Sequence, residues 1–322
     1  MNLPDQNSPI DKFQEFSDID FIVTDLDGTF IQHGDTIWDQ LCGVQAKLHN
    51  SHPTMTIATG RTYGRTRNIA EDIRMKKDTP IVLYNGAVVI SYNTEKILYK
   101  RTIPNSVLYD LCRVIDLSEQ NLLAYYLQFN EAQGIVESVH GFGKRTADYD
   151  VNGMRINWHN RRNADEQEKS LDELSIRALI NDACFDNTDI SLFQCEPEPC
   201  SILIDKNVVS GRLGDLTQYL KSSQLVSYTD SGSGYFEILA HGVDKGTIFE
   251  FIKDKKCIAI GDNDNDVELL RGAAIGVAVA NASSTAANSA KYRCQQEGTR
   301  GVLELLEVIK VANRYWKREY VQ

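Results

Sequence analysis

Apolar and polar positions alternate along the first part of the chain in a way that predicts strands and helices in turn. Short apolar runs occur at 19–25, 54–59 and 80–84, as expected for strands buried in a sheet. Between them, apolar residues recur at helical spacing at 37–48 and at 62–75. The order strand, helix, strand, helix, strand implies a parallel sheet with right-handed crossovers.

This pattern changes at Asn85 and returns near residue 241. Two β-rich runs on either side of 93–96 predict an antiparallel hairpin, and strands and helices of mixed order follow. The highly charged segment 161–182 is typical of a helix with a solvated face. From 241 onward strand and helix signals alternate again and end in a helix at about 302–317, one face of which carries Leu305, Leu306, Ile309 and Ala312.

The patterns together predict an α/β protein, a doubly wound, Rossmann-like parallel sheet with an inserted α+β unit. Residues 18–86 and 241–322 form the predicted core, residues 87–240 the insert, and residues 1–17 a polar lead-in. A chain of 322 residues is long enough for two domains that each bury a core.

Composition and charge narrow the classes of partner. The formal net charge of −11 repels phosphate backbones and anionic lipid, so neither nucleic acid nor a membrane surface is expected as the main partner. The N-terminus lacks the features of a secretory signal, and the seven scattered cysteines are typical of reduced core thiols, which favours the cytoplasm. Cys195 and Cys200 could bind zinc, but their spacing does not match the common zinc sites.

Asp25 and Asp27 stand at the end of the first predicted strand. Side chains two positions apart on an extended chain share a face, and two negative charges that close need a cation or a shared proton. An ordinary turn at Asp27 and Gly28 is the alternative interpretation. It does not explain why Asp25 ends an apolar strand.

Further acids follow an apolar strand in the second core segment, at Asp262, Asp264 and Asp266. Their spacing is that of a calcium loop, but Val267 stands where the loop needs glycine and Ala273 where it needs glutamate. A solvated acidic turn is the other alternative. Combined with Asp25 and Asp27, the acids indicate a magnesium site, because a hard cation prefers oxygen ligands.

Two other segments carry groups suited to phosphate. Thr59, Gly60 and Arg61 end the second predicted strand at the start of a helix, where a hydroxyl and free backbone N–H groups can form a phosphate cradle. Thr before Gly is also a plain capping pattern. Lys245 opens a helix in the second core segment, where most lysines are simply solvated.

The chain resembles the haloacid dehalogenase (HAD) superfamily of phosphohydrolases in four motifs and in their order. These are the Asp-x-Asp-Gly-Thr strand end, the Thr-Gly-Arg strand end, the lysine at a helix start and the Gly-Asp-x-x-Asn-Asp loop. The segments YNGAVV, YFEILAHGVDKGT and GVAVANA resemble its Cof-type sugar-phosphatase branch, subclass IIB. The resemblance covers both core segments and not the stretch from about 105 to 190. It implies that the insert is a C2-type cap that closes over the site.

The resemblance also implies roles for individual residues. Asp25 would be the nucleophile that forms an aspartyl phosphate, and Asp27 the general acid and base. Thr59 would bind the phosphoryl oxygens, and Lys245 would neutralise charge on the nucleophile and the phosphoryl group.

The same resemblance implies a set of binding residues. Magnesium would be held by Asp25, the backbone carbonyl of Asp27 and Asp262, with Asp266 behind them or reached through water. The implied substrate-binding residues are Thr59, Gly60, Arg61, Asn85, Lys245 and Asn265. Thr29 and Asn281 are expected nearby. Capping and turn roles would explain Thr29, Arg61, Asn85 and Asn281 equally well.

The expected function is therefore magnesium-dependent hydrolysis of phosphomonoesters of small metabolites, with sugar phosphates as the expected class. A phosphomutase of the same superfamily is an alternative, and a non-catalytic phosphate- or metabolite-binding regulator is another. Asp27 argues against the regulator, because a binder gains nothing from a general acid. In the insert, Lys144, Arg145, Arg155 and His159 could bind a sugar phosphate, although a salt-bridged surface loop explains them more simply.

Overall fold

The structure is a computed structural model that describes residues 1–5, 7–31, 53–115, 121–143, 146–150, 153–159, 197–205, 213–230 and 235–316. The chain forms two compact units, one of Met1–Tyr99 with Asp244–Gln322 and one of Lys100–Val243. The helix expected at 37–48 and the charged helix expected at 161–182 lie outside the described residues.

The secondary-structure elements follow in chain order. The strands are β1 (Phe21–Thr24), β2 (Thr54–Ile57), β3 (Pro80–Leu83), β4 (Val88–Ser91), β5 (Lys96–Lys100), β6 (Asn121–Asn130), β7 (Gly134–Gly143), β8 (Ile156–His159), β9 (Ser201–Asp205), β10 (Val226–Asp230), β11 (Tyr235–Ala240), β12 (Cys257–Gly261), β13 (Ile275–Ala278) and β14 (Tyr292–Arg293). The α-helices are α1 (Tyr63–Asp72), α2 (Asn105–Val114), α3 (Leu213–Ser222), α4 (Val267–Gly272), α5 (Ser284–Ser289) and α6 (Gly298–Trp316). Short 3₁₀ helices occur at Ile10–Phe16, Tyr84–Gly86, Lys245–Glu250 and Asp264–Asp266.

The first unit is built on a parallel sheet with the strand order β14-β13-β12-β1-β2. Thr24 at the end of β1 lies beside Ile57 on one side and Ile260 on the other, so both segments of the core contribute neighbouring strands. β3 continues beyond β2 through one parallel bridge between Ala58 and Val82, and it pairs antiparallel with β4. The predicted α/β fold with a parallel sheet is therefore confirmed.

The pairing of β3 with β4 explains where the division between the units falls. The sequence pattern placed the start of the insert at residue 87, whereas β4 and β5 belong to the first unit because they form one sheet with β3. The strand pairing changes from parallel to antiparallel at β3 and β4, but both strands still belong to the first unit, which continues to Tyr99.

The N-terminal segment is part of the first unit rather than only a polar lead-in. Within the 3₁₀ helix Ile10–Phe16, the side chains of Phe13 and Phe16 are buried, and the ring of Phe16 lies 5.1 Å from that of Tyr292 between centroids. Leu3 is buried as well. Three apolar side chains spread over many polar positions give no regular period, which is why the pattern of this segment predicted no element.

The C-terminal helix α6 packs into the first unit along one apolar face. The predicted apolar face is buried, at Leu305, Leu306, Ile309 and Ala312. The helix begins at Gly298, four positions before the expected start, and its first turn buries Thr299, whose hydroxyl donates to the carbonyl oxygen of Phe30 at 2.7 Å. Burying one face of a long amphipathic helix is the main contribution such a helix makes to stability.

The second unit is a six-stranded sheet with the order β10-β11-β9-β6-β7-β8. All neighbouring strands are antiparallel except β7 and β8, which are parallel. Helices α2 and α3 cover one face, where apolar side chains such as Leu108, Leu111, Leu216, Ile202 and Ile238 form the core. This separate, mainly antiparallel sheet with its helices confirms the predicted α+β insert. Within the described ranges, no helix combines the length and the apolar character of a membrane span.

Candidate active site

The carboxyl ends of β1 and β12 meet at one edge of the parallel sheet, and an aspartate follows each of them. The backbone N–H of Asp25 donates to the carbonyl oxygen of Ile260 at 3.0 Å, which continues the ladder by one residue. Asp262 follows the last residue of β12, Gly261. Because the strands are parallel and in register, the two acids lie at the edge where open α/β sheets bind ligands.

Lys245 joins two acids of this edge. Its Nζ donates to Oδ1 of Asp25 at 2.7 Å and to Oδ1 of Asp266 at 2.6 Å. The lysine side chain is 1% exposed, and both carboxylates are buried. A buried ammonium group needs such partners, because an unpaired buried charge is costly. The resemblance implied that Lys245 neutralises charge on Asp25, and in the structure it is a buried ion-pair partner of Asp25 and also of Asp266.

Lys245 is the first residue of the 3₁₀ helix Lys245–Glu250, and this helix fixes the position of its backbone. Its N-cap residue, Asp244, accepts a hydrogen bond from the backbone N–H of Gly246 at 2.7 Å. The bonds of the segment span three residues, as in Thr247 N–H to Asp244 O at 3.1 Å. The sequence predicted a helix here, and the structure has the tighter 3₁₀ form.

Asp266 holds the acidic loop in shape. Its Oδ2 accepts from the backbone N–H groups of Asp262 at 2.9 Å and of Asn263 at 3.0 Å, while Oδ1 accepts from Lys245. Both oxygens of this carboxylate therefore accept hydrogen bonds from the protein. Asp264 accepts from the hydroxyl of Ser283 at 2.7 Å, which ties the loop to α5.

Burial and mutual repulsion dominate the electrostatics of the cluster. Burial raises the pKa of Asp25 well above the ordinary value of an aspartate, and the charge of Asp266 raises it further, while Lys245 offsets part of the rise. Burial also raises the pKa of Asp262, against the hydrogen bond from Thr29, which lowers it. Burial alone would lower the pKa of Lys245, but the charges of Asp25 and Asp266 raise it. Negative charge is in excess, so the carboxylates favour an added cation.

The donor set fits a hard divalent cation. Asp25, Asp262 and Asp266 each offer one carboxylate oxygen, and these oxygens all lie within 4.8 Å of one another. Among the described residues, this cluster could hold a metal ion. Thr29 donates from its hydroxyl to Oδ1 of Asp262 at 2.7 Å and so fixes that carboxylate. Oxygen-only ligands and excess negative charge are what Mg²⁺ prefers in proteins.

Gly28 makes room for the same carboxylate. Its φ of +86° suits glycine, and a Cβ added there would lie 2.3 Å from Oδ2 of Asp262. The Asp-Gly pair therefore forms a turn and also lets the backbone approach Asp262 closely. Nδ2 of Asn281 donates to the carbonyl oxygen of Gly28 at 2.9 Å.

Thr59, Gly60 and Arg61 follow β2 beside this edge. Thr59 is buried, and its hydroxyl oxygen accepts from the backbone N–H of Arg61 at 3.1 Å. The guanidinium group of Arg61 pairs with both carboxylate oxygens of Asp27, with Nε 2.8 Å from Oδ2 and Nη2 hydrogen-bonded to Oδ1. Burial lowers the pKa of Arg61, but its hydrogen bond and charge interaction with Asp27 give a net rise. The sequence placed Arg61 at the phosphate and did not predict this pairing.

Asn85 and Asn265 form an amide pair. Nδ2 of Asn265 donates to Oδ1 of Asn85 at 3.1 Å, and Oδ1 of Asn265 is buried without a hydrogen-bond partner. Asn85 lies in the 3₁₀ helix Tyr84–Gly86, in which Tyr84 and Asn85 both have a φ of +49°. Asparagine tolerates that backbone region better than most residues. A buried acceptor without a partner is suited to a ligand donor or a bound water.

Some predicted residues are not part of this edge in the described structure. Arg155 is exposed in the second unit, and His159 is the last residue of β8. Lys144, Arg145 and Cys195 lie outside the described residues, whereas Cys200 is a buried thiol. Among the described residues no cluster that includes Cys200 offers a zinc site.

Sequence reasoning missed Ser283, which contacts the loop twice. Its N–H donates to the carbonyl oxygen of Asp262 at 2.7 Å, in addition to the hydroxyl contact with Asp264. Ser283 is the N-cap of α5, and its hydroxyl oxygen accepts from the backbone N–H of Ala286. A serine before a predicted short helix is a capping signal, and that signal could have identified the residue.

A comparison with protein families finds a model that matches most of the chain. The model describes haloacid dehalogenase-like hydrolases, and the match covers residues 22–306. This range includes the whole insert and most of both core segments.

Relatives and solved structures agree with that match. A 5-amino-6-(5-phospho-D-ribitylamino)uracil phosphatase of Bacillus subtilis, YitU, is 23% identical over 81% of this chain and 86% of its own length. The crystal structure of a haloacid dehalogenase-like hydrolase from Bacteroides thetaiotaomicron has a TM-score of 0.61 at 21% identity, over 90% of this chain and 99% of that one. A structure described as a HAD subclass IIB sugar phosphatase has a TM-score of 0.58 at 17% identity, over 91% of this chain and 99% of that one.

Proposed function

Because the chain belongs to the haloacid dehalogenase-like hydrolase family, of the Cof type, we propose that it is a magnesium-dependent phosphatase of small phosphorylated metabolites that works through an aspartyl phosphate. One observation carries the proposal, the buried ion pair of Lys245 with Asp25 and Asp266 beside Asp262. A lysine that is 1% exposed and shared by two acids is poorly explained by stability alone, since a buried ion pair rarely gains more than an apolar pair of similar size.

In the first half of the reaction, Asp25 attacks the phosphorus atom of the ester. A bond forms between a carboxylate oxygen of Asp25 and phosphorus, and the bond between phosphorus and the alcohol oxygen breaks. Asp27 gives a proton to that oxygen, so the alcohol leaves neutral. Lys245 faces the carboxylate that carries out the attack, and its positive charge reduces the repulsion between two anions.

In the second half, water hydrolyses the aspartyl phosphate. Asp27, now a carboxylate, accepts a proton from the water as its oxygen bonds to phosphorus. The bond between phosphorus and Asp25 breaks, inorganic phosphate leaves, and both aspartates return to their initial states. In this proposal the hydroxyl of Thr59 and the amide of Asn265 bind the phosphoryl oxygens.

Asp25, the backbone carbonyl of Asp27 and Asp262 are the groups that hold magnesium in this proposal. The bound ion supplies positive charge that screens the phosphoryl group from the carboxylates. Asp266 supports the site from behind, because its oxygens already accept from Lys245 and from two backbone N–H groups. Thr29 orients Asp262 through its hydroxyl group.

Sugar phosphates and related polyol phosphates are the proposed substrate class. The name of the Bacillus relative describes a phosphatase for a phosphorylated ribityl compound, and one structural neighbour is described as a sugar phosphatase. The inserted unit, as a cap, selects the leaving group in this proposal. The cytoplasm is the proposed location, since the cysteines in the described ranges are thiols at Cys112, Cys200, Cys257 and Cys294.

The test is phosphate release from a panel of phosphorylated metabolites, with magnesium and with chelator. We expect the wild type to release phosphate from sugar phosphates only when magnesium is present, and Asp25→Asn to release none. Asp11→Asn, an exposed aspartate of the N-terminal 3₁₀ helix, is the matched control and should keep full activity. Turnover of the wild type in chelator, or by Asp25→Asn, would contradict the proposal.

A further inference from the structure

Arg61 holds Asp27 with a two-pronged contact. Nε of Arg61 lies 2.8 Å from Oδ2 of Asp27, and Nη2 is hydrogen-bonded to Oδ1. The carboxylate side chain is 51% exposed, whereas the arginine side chain is only 18% exposed. The arginine is therefore the more buried partner of the pair, and its two hydrogen bonds orient the carboxylate of Asp27.

The backbone of Arg61 is anchored on both sides. Its N–H donates to the hydroxyl oxygen of Thr59 at 3.1 Å, and its carbonyl oxygen accepts from the N–H of Tyr84 at 3.3 Å. These bonds connect the backbone of Arg61 to the residues that follow β2 and β3. The side chain of Arg61 in turn reaches Asp27, which follows β1. Arg61 therefore links the segments that follow these three strands.

From this geometry we propose that Arg61 is a positioning residue that aims Asp27 at the leaving-group oxygen, rather than only a ligand of the phosphoryl group. The inference rests on the proposed function, in which Asp27 delivers the proton. When Asp27 carries that proton on one oxygen, its other oxygen can keep a bond to the guanidinium group. An acid that is not held in this way spends less time within hydrogen-bond reach of the leaving group.

Substrates with different leaving groups distinguish the positioning of Asp27 by Arg61 from the binding of phosphate by Arg61. An unactivated sugar alkoxide needs a proton to leave, whereas p-nitrophenolate is stable enough to leave without one. The ratio kcat/KM reports the steps up to release of the alcohol and is not affected by hydrolysis of the aspartyl phosphate. Loss of a phosphate ligand would lower kcat/KM for both esters equally.

The experiment is a double-mutant cycle of Arg61→Met and Asp27→Asn with two substrates. The substrates are the sugar phosphate that the wild type hydrolyses best and p-nitrophenyl phosphate. We expect Arg61→Met to lower kcat/KM by about 10- to 100-fold for the sugar phosphate and by less than about 3-fold for p-nitrophenyl phosphate. In the Asp27→Asn background, Arg61→Met should have no further effect on the sugar phosphate.

Two additional variants control for charge and folding. Arg67→Met removes an arginine from the same region, where Arg67 pairs with Glu71 on the exposed face of α1, and it should leave both activities unchanged. Arg61→Lys keeps the positive charge but not the two-pronged geometry, and it should restore only part of the loss for the sugar phosphate. Thermal unfolding of each variant checks that the fold is kept.

The possible results test the positioning role of Arg61 separately from the proposed phosphatase activity. An equal fall in kcat/KM for both esters that persists in the Asp27→Asn background would assign Arg61 to phosphate binding and overturn the inference. An Arg61→Met enzyme as active as the wild type on the sugar phosphate would also overturn it. If the wild type hydrolyses neither ester, the proposed function itself fails.

Discussion

Nζ of Lys245 lies 2.7 Å from Oδ1 of Asp25, although the two residues are 220 positions apart in the chain. The contact brings the second core segment to the end of β1, and the same Nζ reaches Asp266 at 2.6 Å. The charge of the lysine is therefore part of the environment of the proposed nucleophile. It also connects the strand ends on which the site is built.

Replacing Lys245 should damage both stability and activity. Lys245→Met removes the cation and leaves Asp25 and Asp266 buried beside each other without compensation, which should cost about 3 kcal/mol of unfolding free energy. Phosphate release should fall by about 100-fold or more, because Lys245 no longer offsets the repulsion between the carboxylate of Asp25 and the phosphoryl group. Urea denaturation and phosphate release measure the two effects.

Lys310→Met is the matched control for that variant. Lys310 pairs with Glu307 at 3.5 Å on the exposed surface of α6, and such pairs contribute little. Its removal should change neither measurement. If Lys245→Met were as stable and as active as Lys310→Met, the buried ion pair would have no role in the site.

Removing the hydroxyl of Thr29 should weaken metal binding with little change in fold. Thr29→Val keeps the size of a buried side chain but leaves Oδ1 of Asp262 without its 2.7 Å donor. Partners that orient a metal ligand typically contribute 10- to 100-fold in affinity, so the magnesium concentration for half-maximal activity should rise by about 10-fold. Activity at saturating magnesium should stay close to that of the wild type.

The comparison for Thr29 is Thr217→Val. Thr217 is a half-buried residue of α3, remote in sequence from the acids of the site, whose hydroxyl donates to the carbonyl oxygen of Gly214 at 3.0 Å. Its substitution should not change the response to magnesium. An identical magnesium response for Thr29→Val and the wild type would argue that Asp262 does not hold the ion.

Gly86 should tolerate no side chain. Its φ is +110°, and a Cβ added there would lie 2.0 Å from the carbonyl oxygen of Asp244, the residue before Lys245. Gly86→Ala therefore combines backbone strain with a backbone clash, and we expect a loss of about 3 kcal/mol in urea denaturation. Activity should fall too, since relief of the clash displaces the start of the Lys245 segment.

Gly242→Ala isolates the backbone part of that effect. Gly242 also has a positive φ, +73°, but a Cβ there would meet no atom within 4 Å. We expect a loss of about 1 kcal/mol from the left-handed conformation alone. Equal losses for the two variants would show that the close approach of Gly86 to Asp244 contributes nothing.

The sequence predicted the acids of the site because local rules are enough to place them. An apolar strand followed by Asp25, and another followed by Asp262, are visible as patterns, and the carboxyl ends of parallel strands share an edge. The parallel sheet, the strands β4 and β5 and the buried face of α6 follow from the same periodicities. The family match of residues 22–306 confirms the resemblance on which the roles were based.

Other features depend on contacts that a local pattern does not contain. Burial of Lys245 requires Asp25 and Asp266 to arrive from other segments, and a lysine at a helix start is most often solvated. The pairing of Arg61 with Asp27 is equally non-local, because an arginine in that loop could face a phosphate instead. The N-terminal segment packs through isolated residues such as Phe16, which have no period to detect.

The most direct test of the central claim is to look for phosphate on the protein itself. Rapid mixing of the wild type with a sugar phosphate and magnesium, followed by an acid quench and peptide mass spectrometry, reports which side chain carries the phosphoryl group. We expect one phosphoryl group on Asp25, and none on any residue in Asp25→Asn. A phosphoryl group on another residue, or rapid turnover with no phosphoprotein in the wild type, would contradict the account.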